Sequence, residues 1–131
     1  MRLFFRGVKY LLERKERIAK RFRRLYYRSL FASCGPKLKV GADIILTGPE
    51  KITAGRNLKL KDRVIIRALG GLAIGDNVTI SSLACILTTS LMLDNGKIVD
   101  RHVQKEIRIG SNVWICCGAI VLGGVSIGDN V

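Results

Sequence analysis

From about residue 40 onward the sequence repeats with a period of six, and that period excludes most folds. The clearest run is Ile109-Gly-Ser-Asn-Val-Trp, Ile115-Cys-Cys-Gly-Ala-Ile, Val121-Leu-Gly-Gly-Val-Ser and Ile127-Gly-Asp-Asn-Val. Aliphatic residues stand at 109, 115, 121 and 127, and Val or Ala stands four later. An earlier copy begins at Ile74 and passes through Ile80 and Ile86. Weaker copies begin at Ala54, Leu60 and Ile66, and at Val40, Leu46 and Ile52. Repetition this short marks a solenoid. Spacing of six, with Gly and Asn at the turns, destroys any helical stripe. It suits short strands joined by corners, where steps such as Gly75-Asp76-Asn77 supply backbone freedom. Three such sides close a triangular coil, and coils stack by parallel pairing at about 4.8 Å. The aliphatic residues then form ladders inside the tube, and stability is collective.

The first zone reads differently. Residues 1–28 hold eleven Arg and Lys against Glu13 and Glu16, which concentrates most of the chain's net charge of +13 there. Phe4, Val8, Leu11, Ile18, Phe22 and Leu25 fall at helical spacing, interrupted by Lys15, and basic residues cover the rest. The expectation is a basic amphipathic helical segment over 1–35, ended by Gly35-Pro36. Three uses suit it: a cap whose apolar stripe covers the open end of the tube, a membrane-surface helix on anionic headgroups, or a nucleic-acid arm. No nucleic-acid-reading motif follows, so the last is the weakest. No stretch approaches the roughly 20 apolar residues that span a bilayer, and no signal-peptide core is present. The chain therefore reads as cytoplasmic.

Composition removes several chemistries. One histidine excludes any centre built on two or three imidazoles. Cys34, Cys85, Cys116 and Cys117 lack metal-ligand spacing, so reduced thiols and no metal are expected. The repeat itself is broken once. Ile74 to Ile109 spans thirty-five residues, and the excess at about 88–108 contains Asp94-Asn95-Gly96, a strong turn signal, and the lone His102. A long excursion from a rigid scaffold is where function usually sits.

The segments Ile109-Gly-Ser-Asn-Val-Trp-Ile and Gly124-Val-Ser-Ile-Gly-Asp-Asn-Val resemble those of the hexapeptide-repeat acyltransferases, in the branch that acetylates sugars. The resemblance covers residues 36–131 and implies an all-β left-handed parallel β-helix behind the N-terminal helix. General crossover sterics would favour the opposite hand, so the hand rests on the resemblance. It further implies acetyl-CoA as donor, a sugar hydroxyl or lipid-linked precursor as acceptor, a homotrimer, and no metal. In such proteins a histidine of the excursion is the general base, a role His102 would fill, with Asp100 able to orient the ring. Some branches place that histidine directly after a Thr/Ser-rich strand end, where this chain has Thr88-Thr89-Ser90-Leu91. Others keep an Arg-His pair before the Ile-Gly coil, which Arg101-His102 matches. Ser90, Asp94, Asn95 and Arg101 are the expected acceptor-side residues. The CoA arm would lie in a groove between subunits, against Trp114, Cys117, Gly118, Ala119 and Gly124. Cys116-Cys117 departs from the family's usual Gly-Ala or Gly-Gly. The chain also stops at Val131, mid-coil, where the family continues, so a fragment or truncated product is expected. The competing expectation is a catalytically inactive β-helix serving as scaffold or as a membrane-associated oligomerisation protein, peripheral at the inner membrane face.

Overall fold

The computed structural model describes the backbone of residues 1–131 and the side chains of all but residues 2–4. Helix α1 (Arg2–Leu30) precedes thirteen short parallel strands and one antiparallel hairpin, wound as a left-handed parallel β-helix. The first coil comprises β1 (Ser33–Cys34), β2 (Lys39–Val40) and β3 (Ile45–Thr47). The second has β4 (Ile52–Ala54), β5 (Lys59–Leu60) and β6 (Ile65–Arg67), and the third β7 (Leu72–Ile74), β8 (Thr79–Ile80) and β9 (Cys85–Leu87). The hairpin β10 (Thr89–Asp94) and β11 (Lys97–Gln104) then leaves the tube. A fourth coil follows with β12 (Ile107–Ile109), β13 (Trp114–Ile115) and β14 (Ile120–Leu122), and β15 (Ser126–Ile127) opens a fifth.

Each coil contributes one strand to each of three faces. The first face orders β1-β4-β7-β12-β15, the second β2-β5-β8-β13, and the third β3-β6-β9-β14. Pairing is in register along the repeat, so Val40, Leu60, Ile80 and Ile115 stack on one another. Leu46, Ile66, Ile86 and Val121 do the same on the third face. All but the half-buried Leu46 are buried, and each fully buried aliphatic side chain contributes roughly 1.5–3 kcal/mol. The residues four places on, such as Leu58, Val64, Val78 and Val113, fill the inner corners and are also buried.

The corner sequence Ile-Gly-Asp-Asn-Val is explained residue by residue. Asn57, Asn77, Asn112 and Asn130 occupy the left-handed region at φ near +60°, which Asn tolerates better than most residues. Their side-chain amides donate in sequence, Asn57 to Asn77, Asn77 to Asn112 and Asn112 to Asn130, at 3.0–3.1 Å. The residue before Asn accepts from the coil below: Asp76 Oδ1 takes the Arg56 N–H at 2.8 Å and Ser111 Oγ the Asp76 N–H at 3.0 Å. The glycine is not the residue that turns the chain. A Cβ on Gly75 would meet the Gly110 backbone at 2.7 Å, so Gly lets neighbouring coils approach.

Two boundaries differ from the sequence reading. Gly35 does not stop the helix, because α1 ends at Leu30, Phe31 is buried and Ser33–Cys34 already pairs with β4. The excursion is also tighter than 88–108: Ile107 is wholly buried and Arg108 lies on β12.

The helix also docks by an unexpected row. Its only partly buried described side chains are Ala19, Arg23, Tyr27 and Leu30, and α1 contacts the tube at β2. Tyr27 and Leu30 pack on the core. Burial pushes the Tyr27 phenol above its ordinary value, with Tyr26 reinforcing and Arg23 opposing. Burial likewise raises the Cys34 thiol, against the nearby Arg28. The expected capping stripe, Val8, Leu11, Ile18, Phe22 and Leu25, points to solvent, with Phe22 68% exposed. Phe4 lies outside the described side chains. The stripe is therefore not what covers the tube, because a neighbouring row of the helix meets it first.

The corner ladder generates a test. Asn77→Ala loses the left-handed preference and both amide bonds, and should cost about 1–2 kcal/mol in urea unfolding. Asn77→Gly restores only the backbone part and should fall between that variant and wild type.

Candidate functional site

The hairpin leaves the tube at the corner between the third and first faces, and its root is tightly held. Thr88, the buried polar residue of the core, donates its hydroxyl to the Arg67 carbonyl at 2.8 Å and accepts the Gly70 N–H at 2.8 Å. Lys105 N–H donates to the Thr88 carbonyl at 2.9 Å, closing the neck. Glycines lie against this neck from the coils on either side. A Cβ on Gly70 would stand 2.8 Å from Lys105 N, and one on Gly123 2.9 Å from Thr88 O. The hairpin is thus fixed to the scaffold at its base while most of its length is exposed.

Its internal register is irregular. Leu91 opposes His102, but the next residue, Met92, opposes Val99, which leaves Asp100 and Arg101 as a bulge. Bulges re-aim neighbouring side chains and are common beside active sites. Leu91 and His102 share one side of the ribbon, whereas Ser90 opposes Val103 on the other. The two candidate base positions, Ser90 and His102, therefore face opposite ways. His102 is exposed, with no hydrogen bond to Asp100, so Asp100 does not orient the ring in this state. Asp94 and Asn95 form the exposed tip, with Asn95 and Gly96 both at positive φ.

The expected donor-side residues do not gather in one place on a single chain. Gly124 sits at the hairpin corner, at φ +90°, its N–H donating to Glu106 O at 3.0 Å. Cys117 and Gly118 lie at the corner between the second and third faces. Trp114 stands on the outside of the second face, 66% exposed, its indole Nε1–H donating to Ser81 Oγ at 2.8 Å. Ala119 packs against the core, its N–H and carbonyl already bonded to Cys116 O and Cys85 N. It offers a ligand little beyond a spare carbonyl lone pair. Among the described residues no three His, Cys, Asp or Glu side chains cluster for a metal.

Sequence reasoning did not single out Thr88, Lys105 or Ser81 as parts of the site. Ser81 and Trp114 are thirty-three residues apart, and only the coil register brings them together. The third face carries a further feature: Ile45, Ile65, Cys85 and Ile120 stack on its outer side. Ile45, Ile120 and Leu122 are exposed there, and Leu93 and Ile98 are exposed on the adjoining hairpin.

Gly123→Ala drives a methyl group toward the neck. It should destabilise by about 1–3 kcal/mol and speed amide exchange across Thr89–Gln104 while leaving the Asn77 corner unchanged. Equal acceleration at both places would show that the glycine serves the whole tube rather than the hairpin.

No family model matches the chain, and no curated protein matches it. Among solved structures the chain is similar to a hexapeptide-repeat-containing acetyltransferase from Vibrio cholerae O1 biovar eltor, crystallised in complex with acetyl coenzyme A. The TM-score is 0.73 and the identity 27%, over 79% of this chain and 57% of that one. The chain thus spans little more than half the length of the structure it matches.

Proposed function

We propose that this protein transfers acetyl from acetyl-CoA to a hydroxyl of a sugar or polysaccharide precursor, with His102 as general base. The observation that carries the reading is a rigid β-helix, similar to that of an acetyl-CoA-bound acetyltransferase, with the chain's single histidine on its one excursion. The imidazole takes the proton of the acceptor hydroxyl. The oxygen then attacks the thioester carbonyl, the carbon–sulfur bond breaks, and the imidazolium returns the proton to the departing sulfur. Ser90, Asp94, Asn95 and Arg101 are the hairpin positions available to the acceptor. Trp114, Cys117 and Gly118 are available to the donor from a different part of the surface.

That separation supports a site shared between copies. An uncharged stack of Ile45, Ile65, Cys85 and Ile120 beside the exposed Leu93 and Ile98 of the hairpin suits burial against a second copy. In a homotrimer each hairpin would approach a neighbour's donor-side residues. His102→Ala should lower turnover by about 10²–10⁴ with sugar acceptors. Mixed oligomers of His102→Ala and Trp114→Ala protomers should regain part of it. Unchanged turnover in His102→Ala removes the histidine from the role, and no rise in melting temperature with acetyl-CoA favours an inactive scaffold.

A second reading concerns location, and the exposed stripe of α1 favours it. No helix among the described residues is long and apolar enough to cross a membrane. Val8, Leu11, Ile18, Phe22, Leu25 and Tyr26 nevertheless form an uncovered apolar face flanked by cations. Two such basic helices would repel one another, whereas an anionic bilayer complements both charge and apolar face. This would place the enzyme at the cytoplasmic surface, where a lipid-linked acceptor is accessible. The chain should float with phosphatidylglycerol vesicles and not with neutral ones, and Ile18→Ser/Phe22→Ser/Leu25→Ser should abolish flotation. Equal flotation of the variant would overturn the reading.

A further inference from the structure

On the side of α1 away from its apolar stripe lies a groove of about 750 Å³ between the helix and the second face. The helix supplies Arg17, Lys20, Arg21 and Arg24 to its lining. The tube supplies Lys39, Lys59 and Lys61, with Asp62 as the only carboxylate lining it. We propose that this groove binds a multiply charged phosphate group, of the pyrophosphate kind, carried on a soluble molecule. The inference does not depend on the transferase reading.

Three observations carry it. The first is that the cations are set against one another. Lys39 and Lys59 are register partners on adjacent parallel strands, β2 and β5. Like charges placed directly opposite destabilise a sheet, and among the described residues neither lysine makes an ion pair. Among the described residues, Arg21, Arg24, Lys39, Lys59 and Lys61 make no ion pair. Asp62 instead accepts the Ala42 N–H through Oδ1 at 2.8 Å. The Arg17 and Lys20 contacts to Glu13 and Glu16 are long, at 3.9 Å, and exposed, which makes them weak.

The second is confinement. The same outward position on the second face is Lys in the first two coils, then Thr79 in the third and Trp114 in the fourth. The cations stop where the helix no longer faces the tube, so they are not a general solubilising stripe. A concave site in which one sign predominates, walled by protein on two sides, focuses its field on a counter-ion.

The third is ligand fit. Arginine presents a fork of donors suited to phosphate oxygens and lysine a compact point charge, and both kinds converge here. The volume lies within the range of small-molecule sites and exceeds what one phosphate fills. Lys20 and Arg24 each stand two residues from Phe22, hence about 160° round the helix. A membrane meeting the apolar stripe would leave this groove open to solution, which favours a soluble source over a lipid headgroup.

The test uses calorimetric titration of the full chain with inorganic pyrophosphate at fixed ionic strength. Wild type should bind, and Lys59→Ala/Lys61→Ala should bind at least about tenfold more weakly. A control of equal charge change away from the groove, Arg67→Ala/Lys97→Ala, should bind as wild type. Without ligand, the melting temperature of Lys59→Ala/Lys61→Ala should stay level or rise, because repulsion with Lys39 is relieved. Lys59→Arg/Lys61→Arg should retain binding. Equal weakening in the groove and control variants would reduce the effect to net charge and overturn the proposal. Absence of pyrophosphate binding by wild type would overturn it outright. Loss of vesicle flotation in Lys59→Ala/Lys61→Ala would reassign the cations to lipid headgroups and overturn the soluble source.

Discussion

The constraint on which the structure depends is the small rise between successive coils. Parallel pairing holds neighbouring backbones about 4.8 Å apart, so every side chain of a coil lies directly on its counterpart in the next. A residue is acceptable only if it can stack on a near copy of itself. Aliphatic groups do so inside the tube. Asparagine does so at the first corner, because a primary amide both donates and accepts, and the chain Asn57-Asn77-Asn112-Asn130 runs through four coils on that property. Glycine does so where backbones nearly touch, as Gly75 does against Gly110. Identical charges do not, and for that reason the Lys39–Lys59 pair stands out as a departure from the tube's own logic.

The features with functional content are those that escape the stacking rule. The hairpin escapes by leaving the tube, yet its neck obeys the rule strictly, with Thr88 and Lys105 wedged between Gly70 and Gly123. This gives His102 a rigid base and an exposed, bulged arm. The helix escapes by projecting from the first coil, held through Tyr27 and Leu30 near its end. Every described side chain through Ile18 is exposed. It therefore presents one apolar face outward and one cationic face toward the tube, and the two can meet different surroundings.

The tube was legible in the sequence because its period is short and its inward positions are aliphatic. Ile74, Ile80, Ile109, Ile115 and Val121 are all buried, as sixfold spacing requires. The turn at Asp94-Asn95-Gly96 also stands between the two hairpin strands. What the sequence hid depends on three-dimensional register. An amphipathic pattern identifies the apolar stripe of α1 but not which row meets a neighbour, and Ala19, Arg23, Tyr27 and Leu30 make an unremarkable row in one dimension. The split between Trp114 and His102 is invisible in a string where they are twelve apart. Lys39, Lys59 and Lys61 look like ordinary surface lysines until the coil aligns them beneath the helix.

The three corners of the tube are not equivalent in length. The first and second each take four residues between strands in every coil, whereas the third takes four, four, nineteen and three. Two edges of the prism are dimensionally constant, and the remaining edge accommodates a nineteen-residue excursion because both of its ends return to the Thr88–Lys105 neck. With acceptor recognition on the hairpin, as proposed, new preferences would arise by exchanging one loop for another at that edge. The scaffold would not have to be refolded each time, so recognition can diversify while the tube stays constant.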